Sequence, residues 1–205
     1  MKFSPLNKKA KFFDNLSPNW HQENILTPRE QNLIQSILHP SELFRGGILL
    51  DLGGGTGRLS EYLAATYPLS YLVLDISLGM LREGREHSPH PAVNRVQSDV
   101  HRLPLADETV RFIFSFSSFP HFERKEEVLR ECWRVLVAGG SFILLHSCSR
   151  EEINLFHSTH SSVISGDHLP PLECFREWGE KLKWTPKNME NNQELFLVHF
   201  VKPEV

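Results

Sequence analysis

The chain has 205 residues, 40% of them apolar and 23% charged, with 22 lysines and arginines against 25 acids for a net charge of −3. That length fits one domain of ordinary size, since domains usually run roughly 100 to 200 residues. The slightly acidic balance excludes the basic footprint of a nucleic-acid binder and gives no attraction to an anionic membrane surface. Cys132, Cys148 and Cys174 are too few and too widely spaced for a disulfide framework or a Cys-x-x-Cys metal knuckle, so they read as reduced thiols. The N-terminal MKFSPLNKKAKFF has charge but no apolar signal core, and no run nears the ~18 apolar residues of a membrane span. A cytoplasmic location is the expectation. Histidine is the conspicuous count: of 11 in the chain, His121, His146, His157, His160 and His168 fall in the second half.

In chain order, GGILLDLG (46–53) and SYLVLDIS (70–77) are short apolar runs, the first ending in glycines and the second in an acid and a serine. RFIFSFSS (111–118) and GSFILLHS (140–147) are further runs rich in β-branched and aromatic residues. Near-continuous apolar runs of this length suit strands buried on both faces of a parallel sheet. Between them RLSEYLAATY (58–67) sets Leu59, Tyr62, Leu63 and Thr66 on one helical face, and KEEVLRECWRVLVAGG (125–140) does the same with Val128, Leu129, Cys132, Trp133 and Leu136. Strands alternating with helices predict a doubly wound α/β sheet. After the helical PLECFREWGEKL (171–182), KWTPKNM and ELFLVHFV are separated by only four polar residues, Glu190 to Gln193. That is enough for a hairpin and too short for a parallel crossover, so the sheet should end in an antiparallel pair.

The chemistry concentrates at Asp51-Leu-Gly53-Gly54-Gly55-Thr56-Gly57, between the first strand and the first amphipathic helix. Glycines there let the backbone turn sharply and approach a ligand, and the helix start supplies N–H donors. A Walker loop would need Gly-Lys-Ser/Thr, whereas Gly57 precedes Arg58 and Leu59; the dinucleotide pattern G-x-G-x-x-G would put its third glycine at Arg58. What stands here is acid-x-G-x-G-x-G.

With that loop, VLDIS, QSDVHRLPLADETVRFI and LRECWRVLVAGGSFILL in order, the chain resembles the class I S-adenosylmethionine-dependent methyltransferases, closely over 44–147 and in outline over 171–202. The resemblance implies a Rossmann-like, doubly wound, seven-stranded sheet, mostly parallel with a C-terminal antiparallel hairpin. It implies that Asp51, Gly53, Gly54, Gly55 and Gly57 hold the methionine end of S-adenosylmethionine, and that Asp75 takes the ribose hydroxyls. Ile76 would lie against the adenine, Asp99 would accept from the adenine amine beside Val100, and Ser115 and Phe116 would complete the set. Adenosine chemistry is consistent: a strand-end carboxylate can accept from both ribose hydroxyls, and an exocyclic amine needs an acceptor. The bland alternatives are a helix N-cap or turn for Asp75 and Asp99, and a carboxylate that only orients the glycine backbone for Asp51. A single domain over 1–205 would then comprise an N-terminal helical cap (1–43), a cofactor-binding core (44–147), a substrate-side insertion or lid (148–170) and a final helix and hairpin (171–205).

On the substrate side the chain lacks the Asn/Asp-Pro-Pro-aromatic run of methylases acting on nucleobases or glutamine. Phe119-Pro120-His121-Phe122 instead resembles the small-molecule branch that includes the quinone methylases (methyltransferase type 11), with proline where that branch usually has the first of two histidines. FFDNLSPNWHQE resembles that branch's cofactor-covering segment, matching at Phe13 and Trp20 with His21 in place of an acid. His121 and His146, at the ends of consecutive strands, are candidate catalytic bases, or for His121 a turn cap. If REEINLFHSTH is helical, His157 and His160 share a face at i and i+3. They are either substrate-side residues of a lid or, with His168, Asp167 or Cys148, part of a metal site. No resident metal is assigned. The expectation is a methyltransferase using S-adenosylmethionine on a small molecule, with neither nucleic acid nor membrane as partner and with acceptor and oligomeric state left open. The rivals are a non-catalytic S-adenosylmethionine-binding accessory protein and a metal- or metalloid-handling enzyme built on His157, His160 and His168.

Overall fold

A computed structural model describes residues 5–18, 20–44 and 46–204. Of the expected 1–43 cap, residues 1–4 and 19 lie outside the described residues. The helices are α1 (Pro5–Leu16), α2 (Trp20–Glu23), α3 (Pro28–Ile37), α4 (Pro40–Leu43), α5 (Arg58–Ala64), α6 (Leu78–His87), α7 (Lys125–Val135), α8 (Arg150–His160) and α9 (Leu172–Leu182). The strands are β1 (Ile48–Leu52), β2 (Ser70–Asp75), β3 (Val93–Gln97), β4 (Val110–Phe116), β5 (Leu136–His146), β6 (Thr185–Asn191) and β7 (Phe196–Val201). They form a mostly parallel seven-stranded sheet in the order β3-β2-β1-β4-β5-β7-β6, the doubly wound arrangement expected. Among the described residues no helix is long and apolar enough to cross a membrane.

Two compact units divide the chain, 1–98 and 99–205. In the first, β1 and β2 pair in parallel, as do β2 and β3. Leu49, Leu50, Leu52, Val73 and Leu74 are fully buried, as a strand covered on both faces requires. VNRVQ (β3) escaped the sequence pattern because Val93 is its only buried apolar residue. The glycine loop between β1 and α5 rests on α6. A Cβ on Gly84 would collide with the Thr56 backbone, so only glycine lets the helix lie this close. From the other side Arg95 on β3, its side chain 3% exposed, donates to the Thr56 carbonyl (3.3 Å) and pairs with Glu61 of α5 (2.6 Å). The N-terminal helices are fastened to the same elements. Asp14 of α1 accepts from the Ser77 hydroxyl (2.6 Å) and the Gly79 N–H (2.8 Å) at the start of α6. Arg58 donates to the Asn24 carbonyl (3.2 Å) and stands 3.8 Å from Glu30, the carboxylate of the α3 capping box.

In the second unit, β5 pairs in parallel with β4 and antiparallel with β7, which in turn pairs antiparallel with β6. The sequence pattern ran the 125–140 helix through to Gly140; in fact α7 stops at Val135 and β5 begins at Leu136. VLVAGG carries two β-branched residues and two glycines, and Gly139 at φ +73° makes the irregularity in register opposite Val110 and Phe112. Likewise β6 runs through Glu190 and Asn191, which the pattern assigned to the turn. Phe119, fully buried, packs against Phe122, Phe142 and Phe175 with ring centroids 5.5, 6.3 and 5.5 Å away, and so anchors the turn that follows β4.

Gly84→Ala tests the packing of α6 on the loop. Helix propensity favours alanine by about 1 kcal/mol, but overpacking costs about 3 kcal/mol at a site closed by backbone. A net loss of about 2 kcal/mol is expected in urea denaturation; a stabilised variant would show that the contact is not tight.

Candidate functional site

In unit 1 the glycine loop is the turn after β1. Gly53 and Gly54 donate to the Leu74 carbonyl (2.8 and 3.2 Å), and Gly57 closes the turn onto the Gly54 carbonyl (2.9 Å). Gly55 (φ +58°) and Gly57 (φ +87°) occupy left-handed backbone that a side chain would strain. A Cβ on Gly55 would meet nothing within 4 Å, so the loop presents bare backbone to open space there. Asp75, at the end of β2, accepts from the Gly55 N–H at Oδ2 (2.9 Å) and from the Ser77 N–H at Oδ1 (2.8 Å). It therefore does hold the following turn, as the bland reading had it, and in the same geometry grips the glycine loop. Ile76 beside it is half-buried.

Asp51 is 1% exposed, with Gly54 so close that a Cβ there would stand 2.5 Å from its carboxyl carbon. Its Oδ2 accepts from the Ser60 hydroxyl at 2.8 Å. Burial is the dominant cause that raises its pKa to about 6, with the hydrogen bond from Ser60 opposing and the Asp75 charge adding. Phe13 and Trp20 are half-buried on α1 and α2, the helices that lie against α6. His21, which replaces the family acid, stacks on His87 of α6 with centroids 5.8 Å apart. Asp14, the third residue of FFD, was passed over in the sequence although it makes the key contact of that segment.

In unit 2, Asp99 accepts at Oδ1 from the His101 N–H (2.9 Å) and from His101 Nδ1 (2.6 Å), while His101 Nε2 reaches the Glu123 carbonyl (3.0 Å). His101, two residues along the chain, thus orients Asp99. Val100 is 8% exposed, and Ser115 and Phe116 are also buried, with the Ser115 hydroxyl 2.8 Å from that of Ser118.

The histidines divide. His121, His146 and His157 converge. His121 Nδ1 is 2.8 Å from Asp167 Oδ2, His157 Nδ1 is 2.7 Å from the Asp167 carbonyl, and the two rings lie 4.8 Å apart. His146 is 5% exposed, and burial first, then the nearby His121 and His157, push its pKa down to about 3. His157 is also shifted down, mainly by burial. The shared face expected for His157 and His160 is not realised as a ligand pair. His157 turns inward, while exposed His160 stacks on Phe156 at 3.6 Å and bonds the Phe156 carbonyl. His168 is exposed. Among the described residues no group of three or more His, Cys, Asp or Glu side chains is arranged to hold a metal ion, so the metal-handling alternative has no geometric support. Asp167, considered in the sequence only as a metal ligand, is the residue that joins two of these histidines. Sequence spacing carries no signal for a contact spanning 46 positions.

The shifted carboxyl has a stability signature. Below its ordinary value of 3.8 Asp51 is neutral folded or unfolded and costs nothing; as pH rises towards about 6 the unfolded chain ionises first, and folding loses stability. The stability difference between Asp51→Asn and wild type is expected to move by about 2 kcal/mol in favour of the variant from pH 4 to pH 7. Urea denaturation across that range measures it, and a difference independent of pH would refute the shift.

The family model described as "Methyltransferase domain" matches residues 50–144. Malonyl-[acyl-carrier protein] O-methyltransferase of Methylococcus capsulatus is 47% identical over 94 residues, which are 45% of this chain and 34% of that protein, so the match spans about a third of the relative's length. Demethylmenaquinone methyltransferase of Chlamydia trachomatis is 31% identical over 154 residues, 75% of this chain and 67% of the relative. In fold the chain is similar to phosphoethanolamine N-methyltransferase 2 of Haemonchus contortus, crystallised with S-adenosyl-L-methionine. That TM-score is 0.73 at 16% identity, covering 98% of this chain and 60% of the other. With a glycine loop gripped by the acid ending β2, the methyltransferase match over 50–144 and this identity across two thirds of a relative, the chain belongs to the class I S-adenosylmethionine-dependent methyltransferases.

Proposed function

We propose that the protein transfers a methyl group from S-adenosylmethionine to a small-molecule acceptor. The observation that carries this is the glycine loop tied to Asp75, with open space above Gly55. The fit is chemical as well as spatial. A cofactor with a cationic methionine end and a ribose diol suits a site that offers Asp51 packed against Gly54, a loop of Gly53, Gly54, Gly55 and Gly57 whose backbone is open at Gly55, and a carboxylate at Asp75. Each oxygen of Asp75 already accepts one backbone N–H, which fixes the plane of the carboxylate; a carboxylate has lone pairs for further donors. Ile76 and Val100 would flank the adenine, Asp99 would accept from its amine, and Ser115 and Phe116 would back the site. Phe13 and Trp20 would cover it.

Bound, the cofactor supplies a methyl group already activated on a sulfonium, so positioning provides much of the rate and a base is needed only where the acceptor must lose a proton. His121 is our candidate for that base. His146, held neutral by burial, suits a hydrogen-bonding role towards the acceptor better than proton uptake. His157 belongs to the same side, and exposed His160 is left at its margin. The names of the relatives cited above attach them to malonyl-[acyl-carrier protein] and demethylmenaquinone. For this chain, a small molecule is favoured by the missing Asn/Asp-Pro-Pro-aromatic run.

Isothermal titration with S-adenosylhomocysteine tests the reading. Binding is expected, and Asp75→Ala should weaken it by about 10- to 100-fold through loss of a charged acceptor. Absence of heat with the wild-type protein would sink the function; unchanged affinity in the variant would remove Asp75 from the site.

A further inference from the structure

We infer that Asp167 is a positioning residue that makes Nε2 of His121 the proton acceptor for the substrate, and that the group methylated is a hydroxyl on an uncharged acceptor. This rests on the methyl-transfer reading above. The three imidazoles come from separate elements of unit 2: His121 from the turn after β4, His146 from the last position of β5, and His157 from α8. Asp167 serves two of them, and each time with an atom that can only accept. Both rings must then carry their proton on Nδ1, which puts the lone pair of each on Nε2.

The cluster is also asymmetric. His157 and His146 are 6% and 5% exposed, and both are shifted towards the neutral form. Only His121 has a carboxylate behind it, and its side chain is 18% exposed against 8% for that of Asp167. A carboxylate in that position orients the ring and stabilises the imidazolium that forms when Nε2 takes up a proton. Asp167 itself is held in place. The α8 capping box of Ser149 and Glu152 sets the helix, Asn154 donates to the Leu169 carbonyl (3.1 Å) and accepts its N–H (2.8 Å), and the Asp167 N–H closes a turn on Ile164 (2.9 Å). Phe119, buried in its aromatic cluster, fixes the His121 end.

The acceptor class follows from what the cluster lacks. Its carboxylate is engaged by His121, and His146 Nε2 is buried with no hydrogen-bond partner, a polar group that a substrate would satisfy. Among the described residues the cluster's side chains are three imidazoles and one carboxylate already paired with His121, a setting that suits a neutral acceptor. A neutral hydroxyl fits, because it must shed a proton to be methylated and an imidazole is a base of suitable strength near neutral pH. The hydroxyl proton passes to His121 Nε2 as the oxygen's electron pair forms the new C–O bond and the S–C bond of the methyl donor breaks, its pair remaining on sulfur. The proton then leaves His121 for solvent.

Diethyl pyrocarbonate, which acylates a basic imidazole nitrogen, reads this without an acceptor. With S-adenosylhomocysteine bound, peptide mass spectrometry should find His121 labelled ahead of His146 and His157, and Asp167→Asn should lose that labelling while keeping wild-type affinity for S-adenosylhomocysteine. Asp167→Glu should restore part of it. Labelling of His121 that is absent in wild type or unchanged in Asp167→Asn overturns the pair. Failure to bind S-adenosylhomocysteine would instead fault the underlying methyl-transfer reading. For the acceptor class, 1-naphthol and 1-naphthylamine are offered with S-adenosylmethionine. O-methylation of the naphthol is expected, with kcat roughly 100-fold lower in Asp167→Asn at unchanged KM for the cofactor. Methylation of the amine alone, or of neither compound, would overturn the hydroxyl assignment.

Discussion

The carboxylate that ends β2 must satisfy two stretches of backbone, and the rest of unit 1 is arranged so that it can. Asp75 takes an N–H from the glycine loop before α5 and another from the turn before α6. Both turns are therefore set by one side chain on a buried strand. That single constraint explains the company it keeps. Gly84 is small so that α6 can reach the loop, Arg95 supports Thr56 from β3, and Asp14 fastens α1 to the same helix start through Ser77 and Gly79. A loop of several glycines would otherwise be costly to order, since glycine loses more conformational freedom on folding than any other residue. Here the N–H groups of Gly53 and Gly54 go to Leu74, that of Gly55 to Asp75 and that of Gly57 back to Gly54.

Asp51 shows the same economy from beneath. Burial outweighs the hydrogen bonds from Ser60 and holds this carboxyl towards its neutral form. A cationic ligand above would reverse that preference. Such a group costs the fold stability wherever the unfolded chain ionises it first.

Unit 2 reaches its geometry by another route. There the local chain, not a strand-end acid, does the aiming: an aromatic cluster fixes the turn at His121, and a capped helix with a tethered return loop fixes Asp167. Two of the three clustered histidines are driven neutral by burial, and the third is backed by a carboxylate. Residues of one type thus acquire different roles from their surroundings alone.

Much of the fold was legible beforehand, for physical reasons that differ by element. β1, β2 and β4 announce themselves because strands covered on both faces must be apolar throughout; β3 does not, since an edge strand buries little. The glycine loop was legible because backbone at positive φ restricts residue choice locally, and Asp75 because an acid at a strand end can hold the turns beside it. Helix and strand were confused at 136–140, where VLVAGG is compatible with both and only pairing with β4 and β7 decides. The histidines mark the limit. Sequence by itself determined that they gather in the second half and that His146 ends a strand; His121, also expected at a strand end, lies in the turn that follows β4. Only tertiary structure decided that His157 turns inward, that His160 stacks on its own helix, and that Asp167 from the return loop joins His121, because a contact between residues 46 positions apart leaves no periodicity for the chain to display.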